Sequence, residues 1–182
     1  QEAGATVIGT ARKPAEAEDL KKTGARVVQL DVADAASVAA MAAELEGVKI
    51  DALLNNAGIF PQRESIEDTD PDTALKVYAV NTVGPLRVTQ ALMPNLRAGE
   101  GKLIMNMSSG LGSIANNARG GMVDYRASKS ALNMVSRTMA AELEGEGFKV
   151  VVMSPGWVRT DMGGENANLS PEESVKGILK TL

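Results

Sequence analysis

Two side chains near the centre of the sequence have the types and spacing of an acid–base pair. Tyr125 and Lys129 lie four residues apart in a segment whose apolar residues recur at spacings of three, four and one, which predicts a helix from Tyr125 onward with both side chains on one face. A phenol in water has a pKa of about 10, and a nearby ammonium group lowers it towards the range of a working general acid or base. A hydroxyl group from Ser108 or Ser109, at the end of the preceding apolar strand, could bind the same reacting oxygen atom. Together these residues predict a proton-transfer site for a carbonyl or an alcohol.

The same spacing also has a purely structural explanation. A tyrosine and a lysine one helical turn apart are common on partly solvated helix faces, so the pair alone does not define a catalytic site. The secondary-structure elements that position the pair are needed to distinguish the two interpretations.

Composition narrows the chemistry that the chain can perform. The 182 residues carry a net charge of −4 and include neither histidine nor cysteine. Their absence excludes Ser-His-Asp and Cys-His triads, disulfides, and imidazole or thiolate metal ligands. Lysine and arginine are scattered rather than clustered, which argues against a nucleic-acid partner. The longest apolar segments are strand-sized and no signal peptide opens the sequence, so we expect a cytoplasmic protein with no membrane partner.

Apolar segments of strand length alternate with helical patterns along the chain. The predicted strands are 5–11, 26–30, 50–55, 102–107 and 148–153. Helices are predicted at 14–23, from the cap Asp34 to Gly47, from 71 after the cap Asp70 with an interruption at Gly84-Pro85, from 125 to Gly145 or Gly147, and from 171 in a capping box of Ser170 and Glu173. This alternation predicts an α/β protein, a doubly wound parallel sheet in a single domain that covers residues 1–182.

Ligands of such sheets bind at the carboxyl ends of the strands. Those ends carry polar or turn-forming residues in this sequence: Arg12, Asp31-Val32, Asn56-Ala57-Gly58, Ser108-Ser109 and Pro155-Gly156. Such residues after every predicted strand indicate a ligand-binding crevice, with the Tyr125 helix beside it.

With these motifs in place, the sequence resembles the short-chain dehydrogenase/reductases, which have a Rossmann-like fold. The family's Asn-Asn-Ala-Gly motif matches residues 55–58, and its Tyr-x-x-x-Lys motif matches Tyr125 and Lys129. Its Pro-Gly-x-x-x-Thr turn matches Pro155, Gly156 and Thr160. Segments 125–133 and 155–164 are similar, more narrowly, to the C-factor and sniffer-like carbonyl reductases. The match extends over essentially the whole chain.

The resemblance implies hydride transfer by NAD(P), with a small carbonyl or alcohol as the substrate. It implies that Tyr125 gives a proton to the carbonyl oxygen, or removes it in reverse, while Ser109 (alternatively Ser108) holds that oxygen. Lys129 would lower the Tyr125 pKa and bind the nicotinamide ribose. The family's helix asparagine resembles Asn81, which would hold a water molecule that relays protons to Lys129. An equally weighted structural alternative is that its side chain satisfies backbone groups freed by the kink near Gly84-Pro85.

Charge after the first predicted strand favours NADP(H) over NAD(H). This strand resembles the family's second, where an acidic residue binds the ribose of NAD and an arginine accommodates the 2′-phosphate of NADP. Arg12 and Lys13 stand there without a carboxylate, although two solvated surface charges would give the same pattern. Asp31 would border the adenine or, equally, cap a turn. The resemblance implies these cofactor contacts: Arg12, Asp31, Val32, Asn56, Ala57, Gly58, Tyr125, Lys129, Pro155, Val158 and Thr160.

Three further expectations follow from the resemblance. A strand, a glycine-rich turn and a helix would precede Gln1 and a last strand would follow Leu182, so we expect a fragment with a gap between the strands at 5–11 and 50–55, which binds cofactor poorly by itself. Apolar loop residues suggest a pocket for a ketone or aldehyde: Ile59, Phe60, Met122, Trp157 and Met162. A homodimer is possible but is not predicted.

The main alternative function is a non-catalytic NAD(P)-binding signalling or regulatory protein on the same fold. A third alternative is a structural module that pairs through its β-strand edges.

Overall fold

The strands are all parallel and form two sheets in this computed structural model, which describes residues 4–61 and 65–180. One sheet pairs β1 (Ile8–Ala11) with β2 (Arg26–Gln29). The other has β4 (Leu103–Met107) at its centre, with β3 (Ala52–Asn55) and β5 (Lys149–Met153) on its two sides. No ladder joins β1 to β3 among the described residues, so the expected separation of these two strands is confirmed.

The predicted strands are all present, but several begin later than expected. Ile50 was placed in a strand, yet its N–H group bonds to the Asn95 backbone oxygen of a helix. Lys102 has a left-handed backbone (φ 46°), which breaks the extended conformation just before β4. Local bonding and backbone conformation, which the apolar pattern does not report, therefore set these boundaries.

Six α-helices connect or flank the strands: α1 (Glu18–Lys22), α2 (Ala35–Glu44), α3 (Pro71–Tyr78), α4 (Gly84–Ala98), α5 (Val123–Leu143) and α6 (Pro171–Leu179). Their order along the chain confirms the predicted α/β class with a parallel sheet. None of the helices in the described part of the chain is both long and apolar enough to cross a membrane.

Side-chain caps start three of these helices as the sequence predicts. Asp34 accepts a hydrogen bond from the Ala36 N–H group at the start of α2. Asp70 accepts two backbone N–H bonds at the start of α3. Ser170 and Glu173 form a reciprocal capping box at the start of α6. These positions satisfy N–H groups that have no partner within the helix.

Two helix predictions were wrong in detail. The segment 14–23 is not one helix, because a short 3₁₀ turn (Pro14–Glu16) ends at Ala17 before α1 begins. The interruption predicted at Gly84-Pro85 lies earlier, in a wide π-type turn (Ala79–Val83). Pro85 follows this turn directly, as the second residue of α4.

The principal apolar core joins the two sheets through α2 and α4. Its buried members are Val28, Leu30, Val38, Met41, Leu45, Val88, Leu92, Leu96, Ile104 and Phe148. A polar contact reinforces the same junction, because the Asn95 amide donates to the backbone oxygens of Leu45 (2.6 Å) and Val48 (2.8 Å). The core therefore holds the carboxyl ends of both sheets on one side of the molecule.

Candidate active site

Helix α5 places Tyr125 and Lys129 in a buried position beside the end of β4. It begins at Val123, two residues before the predicted start, after Met122 in a left-handed conformation (φ 54°). Tyr125 is 8% exposed and Lys129 is 4% exposed, so a solvated helix face does not describe this pair. The Lys129 Nζ atom donates a 2.8 Å hydrogen bond to the Met107 backbone oxygen and lies 5.7 Å from the centre of the Tyr125 ring.

Burial changes the acid–base properties of both groups. Loss of water raises the pKa of the Tyr125 hydroxyl above its usual value, and a hydrogen bond with Ser109 opposes that rise. Loss of water also lowers the pKa of the Lys129 ammonium from 10.5 to about 8. The expected net lowering of the Tyr125 pKa is wrong for this structure, because desolvation of the phenolate is the largest effect.

The two serines after β4 have different partners. The Ser109 side chain lies near Tyr125, whose pKa it lowers, and its hydroxyl accepts a 3.1 Å bond from the Leu111 N–H group. The Ser108 hydroxyl is buried and donates a 2.7 Å bond to the side-chain oxygen of Asn133 on α5. This geometry favours Ser109 as the serine that could hold a reacting oxygen atom, and it gives Ser108 a structural partner instead.

Asn81 lies in the wide turn between α3 and α4 and is fully buried. Its side-chain oxygen accepts a 2.8 Å bond from the Ile59 N–H group, and its amide donates to the Ile59 backbone oxygen (2.9 Å) and the Ser128 hydroxyl (3.1 Å). These partners are not the backbone groups of a kink near Gly84-Pro85, so that alternative was wrong. Asn81 instead joins the loop after β3 to α5.

Gly58 brings the loop after β3 close to the same polar groups. A Cβ atom at this position would lie 3.5 Å from the Asn81 side-chain oxygen and 3.6 Å from Lys129 Nζ. A larger residue would therefore occupy the space between the Asn81 oxygen and the Lys129 ammonium. Glycine leaves that space empty, with both polar groups next to it. A ribose hydroxyl or a water molecule placed there could bond to both, which fits the expected cofactor.

A cavity of about 1140 Å³ opens beside Tyr125 at the carboxyl ends of the three-stranded sheet. Most of the predicted site residues line it: Asn56, Ala57, Gly58, Ser108, Ser109, Tyr125, Lys129, Pro155, Val158 and Thr160. The predicted apolar residues in its wall are Phe60, Met122, Trp157 and Met162, whereas Ile59 is not part of it. Typical pockets for one small ligand measure roughly 300–1,000 Å³, so this one has room for the reactive part of a cofactor and a substrate.

Sequence reasoning missed the contribution of α6 to this cavity. Ser174, Val175 and Ile178 lie in the cavity wall, and the Ser174 hydroxyl donates a 2.7 Å bond to the Pro155 backbone oxygen. The capping box predicted that the helix exists, but no signal in the sequence showed that it folds back over the strand ends.

A buried polar network beneath the site was also missed. The Asn55 amide donates to the Asn106 side-chain oxygen (2.8 Å) and to the Thr89 hydroxyl (3.2 Å), and the Asn106 amide donates to the Ser136 hydroxyl (2.8 Å). These bonds tie β3, β4, α4 and α5 together. An asparagine inside the apolar run of β4 was the available signal, because an unpaired amide would be costly there.

The remaining predicted cofactor residues lie at the ends of β1 and β2, outside the cavity. Arg12 is exposed and makes no hydrogen bond or ion pair within the part of the chain that the structure describes. Lys13 pairs with Glu16 at 2.9 Å. The Asp31 carboxylate accepts a 2.9 Å bond from the Ala33 N–H group, as the turn-capping alternative predicts.

Two residues of α4 fix the position of Val32. The Arg87 guanidinium donates to the backbone oxygens of Val32 (3.1 Å) and Ala33 (3.0 Å). A Cβ atom on Gly84 would lie 2.9 Å from a Val32 methyl carbon, so the start of α4 needs a glycine to approach this closely. The predicted adenine-binding loop is therefore positioned by the same segment that carries Asn81.

A family model described as short chain dehydrogenase matches residues 1–169 of this sequence. The chain belongs to the short-chain dehydrogenase/reductase family. It is thereby a member of a family of NAD(P)-dependent oxidoreductases, as the resemblance of its motifs implied.

Solved structures of carbonyl reductases superpose closely on this short-chain dehydrogenase/reductase. The carbonyl reductase Sniffer of D. melanogaster is 32% identical with a TM-score of 0.91, and the match covers 97% of this chain and 79% of that one. The NADPH-bound carbonyl reductase from chicken fatty liver is 34% identical with a TM-score of 0.88 and the same coverages, 97% and 79%. C-signal of Myxococcus xanthus is 43% identical over 133 residues, which are 73% of this chain and 80% of that protein.

Proposed function

We propose that this protein transfers hydride between NADP(H) and a carbonyl or alcohol substrate, with Tyr125 as the general acid or base. The proximity of the Ser109 and Tyr125 side chains in the wall of the large cavity carries the proposal. It sets two hydroxyl groups where a single substrate oxygen atom could bond to both. Lys129 lies one helical turn away, within the same wall.

The protonation state of Tyr125 suits reduction of a carbonyl. NADP(H), when bound, supplies the hydride. Because burial raises the Tyr125 pKa, the hydroxyl stays protonated at neutral pH and can give its proton to the carbonyl oxygen as negative charge develops there. Ser109 donates a second hydrogen bond to the same oxygen and stabilises that charge. In the reverse direction Tyr125 accepts the proton of the alcohol.

Lys129 and Asn81 complete the proton pathway in this proposal. As Tyr125 loses its proton, the neighbouring ammonium of Lys129 stabilises the phenolate that forms. Lys129 also binds a ribose hydroxyl of the nicotinamide half. A water molecule at Gly58 would connect Lys129 with Asn81, since both face that glycine. Protons from solvent then reach Tyr125 through Asn81, the water molecule and Lys129.

The preference for NADP(H) rests on Arg12 and on the relatives. Arg12 is exposed at the end of β1 and has no partner among the described residues, so its guanidinium can bind a 2′-phosphate there. The carbonyl reductase from chicken is NADPH-bound. At the other end of the cofactor, Val158 and Thr160 in the cavity wall hold the nicotinamide carboxamide.

A second candidate is a non-catalytic, nucleotide-binding signalling protein. The observation that favours it is the 43% identity to a protein named C-signal. Nucleotide binding needs the strand ends and loops, but it does not need a buried tyrosine beside a serine hydroxyl. The presence of that pair makes the oxidoreductase the better-supported candidate.

Oxidation of NADPH by a panel of aldehydes and ketones tests the proposal, with Tyr125→Phe compared with the parent protein. Removal of the hydroxyl takes away the proton donor, so we expect kcat to fall at least about 100-fold while NADPH affinity is retained. Tyr78→Phe is the matched control, because Tyr78 is the other tyrosine of the chain and lies outside the cavity.

Each outcome separates the candidates. Turnover in the parent and in Tyr78→Phe, with near-loss in Tyr125→Phe, supports the oxidoreductase. If the parent binds NADPH but turns over no carbonyl or alcohol in either direction, the signalling candidate replaces it. Equal turnover in all three proteins would exclude Tyr125 as the acid.

A further inference from the structure

A second cavity, of about 520 Å³, lies beside the candidate active site in the loop before α5. Its wall is formed by loop residues and the first turns of α5: Gly110, Leu111, Asn116, Ala118, Arg119, Gly120, Gly121, Met122 and Arg126. Neither the family motifs nor the proposed proton transfer uses this space. Two of the nine wall residues are arginines, and none of these described residues is acidic.

The two cavities share part of their walls. Gly110, Leu111 and Met122 line both of them. Gly110 follows Ser109, and Met122 caps the helix that carries Tyr125. A substrate whose carbonyl lies between Ser109 and Tyr125 could therefore extend past these residues into the second cavity.

Arg126 is fixed in the wall by the loop itself. Its Nε atom donates to the Gly121 backbone oxygen (3.0 Å) and its Nη1 atom donates to the Leu111 backbone oxygen (3.4 Å). Both partners are neutral, so the positive charge of the guanidinium is not compensated by them. The Nη2 group has no hydrogen bond to a described residue and is left for a ligand.

Arg119 is exposed and has no hydrogen bond or ion pair to any residue that the structure describes. The acidic side chain nearest to it along the chain, Asp124, does not line the cavity. Asp124 is 4% exposed, and its Oδ1 atom accepts a 2.6 Å bond from the Tyr125 N–H group. Neither arginine therefore has a carboxylate partner among the described residues, although the protein as a whole carries a net charge of −4.

From this arrangement we propose that the second cavity binds a carboxylate group of the substrate, so that the preferred substrates are aldehydes or ketones with an anionic tail. The inference rests on the proposed function, because it assigns the carbonyl end of the substrate to Tyr125 and Ser109. Arg119 and the remaining Nη2 group of Arg126 bind the carboxylate, for which a planar guanidinium offers paired donors. The apolar walls of the first cavity take the chain between the two ends.

A homologous series of unbranched ω-oxo acids, compared with their methyl esters, tests the proposal. Ester and acid differ in charge but not in the aldehyde, so the ratio of their KM values reports on the anionic tail alone. At the chain length that spans the two cavities, we expect KM to be about tenfold lower for the acid, since tenfold corresponds to one charge-assisted hydrogen bond. Added salt should reduce that advantage, because exposed charges are screened.

Arg119→Gln should abolish most of this advantage while leaving kcat and the KM for the esters unchanged. Arg137→Gln is the matched control, because it removes the same charge from an exposed position on α5 that lines neither cavity. Arg119 was chosen over Arg126 because it makes no loop hydrogen bonds, so its loss leaves the loop intact.

The outcomes distinguish failure of this inference from failure of the proposed function. Ester turnover with equal KM values for acid and ester at every length overturns the anionic subsite but keeps the reductase. An acid preference that Arg119→Gln leaves unchanged also overturns the assignment. A raised KM for NADPH in Arg119→Gln, without any change in the acid-to-ester ratio, would assign the arginine to the cofactor instead. Turnover of neither series by the parent would contradict the proposed function itself.

Discussion

The two ends of the proposed cofactor cleft are built in opposite ways. At the three-stranded sheet, Tyr125, Lys129 and Asn81 are buried; Lys129 is hydrogen-bonded to β4, and Asn81 is hydrogen-bonded to the loop after β3. At the two-stranded sheet, Arg12 is exposed and has no partner among the described residues, and Asp31 bonds within its own turn. The first end depends on the tertiary structure, whereas the second depends mostly on local sequence.

This contrast follows from the chemistry expected at each end. Changing the pKa of a phenol or an ammonium group requires removing it from water, which only packing by several elements can do. Binding a phosphate requires a cation that reaches a solvated anion, and an exposed arginine does so without burial. Four predictions on three variants test the contrast, from the largest expected effect to the smallest.

Lys129→Met should cause the largest effect, because it removes the ammonium that stabilises the Tyr125 phenolate and binds the ribose. We expect kcat to fall about 100-fold or more. Steady-state kinetics in the full-length protein measures this loss, and retention of most activity would show that the buried end does not need its cation.

The same variant tests the burial of the charge through the pH dependence of stability. The Lys129 pKa is about 8 in the folded protein and 10.5 in an unfolded chain, so between these values the unfolded chain binds more protons and this group makes the free energy of unfolding rise with pH. Lys129→Met lacks that contribution. The free energy of unfolding of the parent, relative to the variant, should therefore increase from pH 8 to pH 10.5, and denaturant titrations that show a flat difference would contradict the lowered pKa.

Arg12→Gln should have an intermediate effect that is confined to one cofactor. Loss of the guanidinium removes a partner of the 2′-phosphate, so we expect KM for NADPH to rise about tenfold and KM for NADH to stay nearly constant. Lys13→Gln is the control, since Lys13 already pairs with Glu16. Equal effects of the two substitutions would indicate a general electrostatic attraction rather than a specific arginine.

Arg87→Met should have the smallest effect, because Arg87 touches the predicted adenine loop rather than the cofactor. Loss of its bonds to Val32 and Ala33 should raise KM for NADPH about threefold with kcat unchanged. Reduced nicotinamide mononucleotide, which lacks the adenine half, should show no change. Arg26→Met, which removes surface bonds to Glu44, is the control; a change with the mononucleotide would place the effect elsewhere.

The sequence predicted features that depend on near neighbours. Asp70 and Ser170 cap their helices as expected, since a cap and its N–H partners lie within three residues of each other. The strand ends, and with them most of the cavity wall, were also placed correctly. The position of each residue along an element is thus largely a local property.

Predictions failed where distant parts of the chain meet. The direction of the Tyr125 pKa depends on how much of the fold covers it, and the partner of Asn81 is Ile59, 22 positions away in the chain. Asn106 likewise finds its partners on β3 and α5. Burial and long-range pairing have little effect on the spacing of residue types along the sequence. The signal is at most one polar residue within an apolar strand.

The wide turn at Ala79–Val83 acts as a spacer of one residue. The buried positions Val77 and Leu96 are separated by one residue more than five regular α-helical turns, which take about 18 residues. Without the extra residue, a continuous helix would rotate one of its halves by about 100° relative to the other. Val77 and Leu96 could then not both keep their buried positions while Asn81 contacts the active-site loop. The added residue sets the phase of the helix so that one segment serves both stability and chemistry.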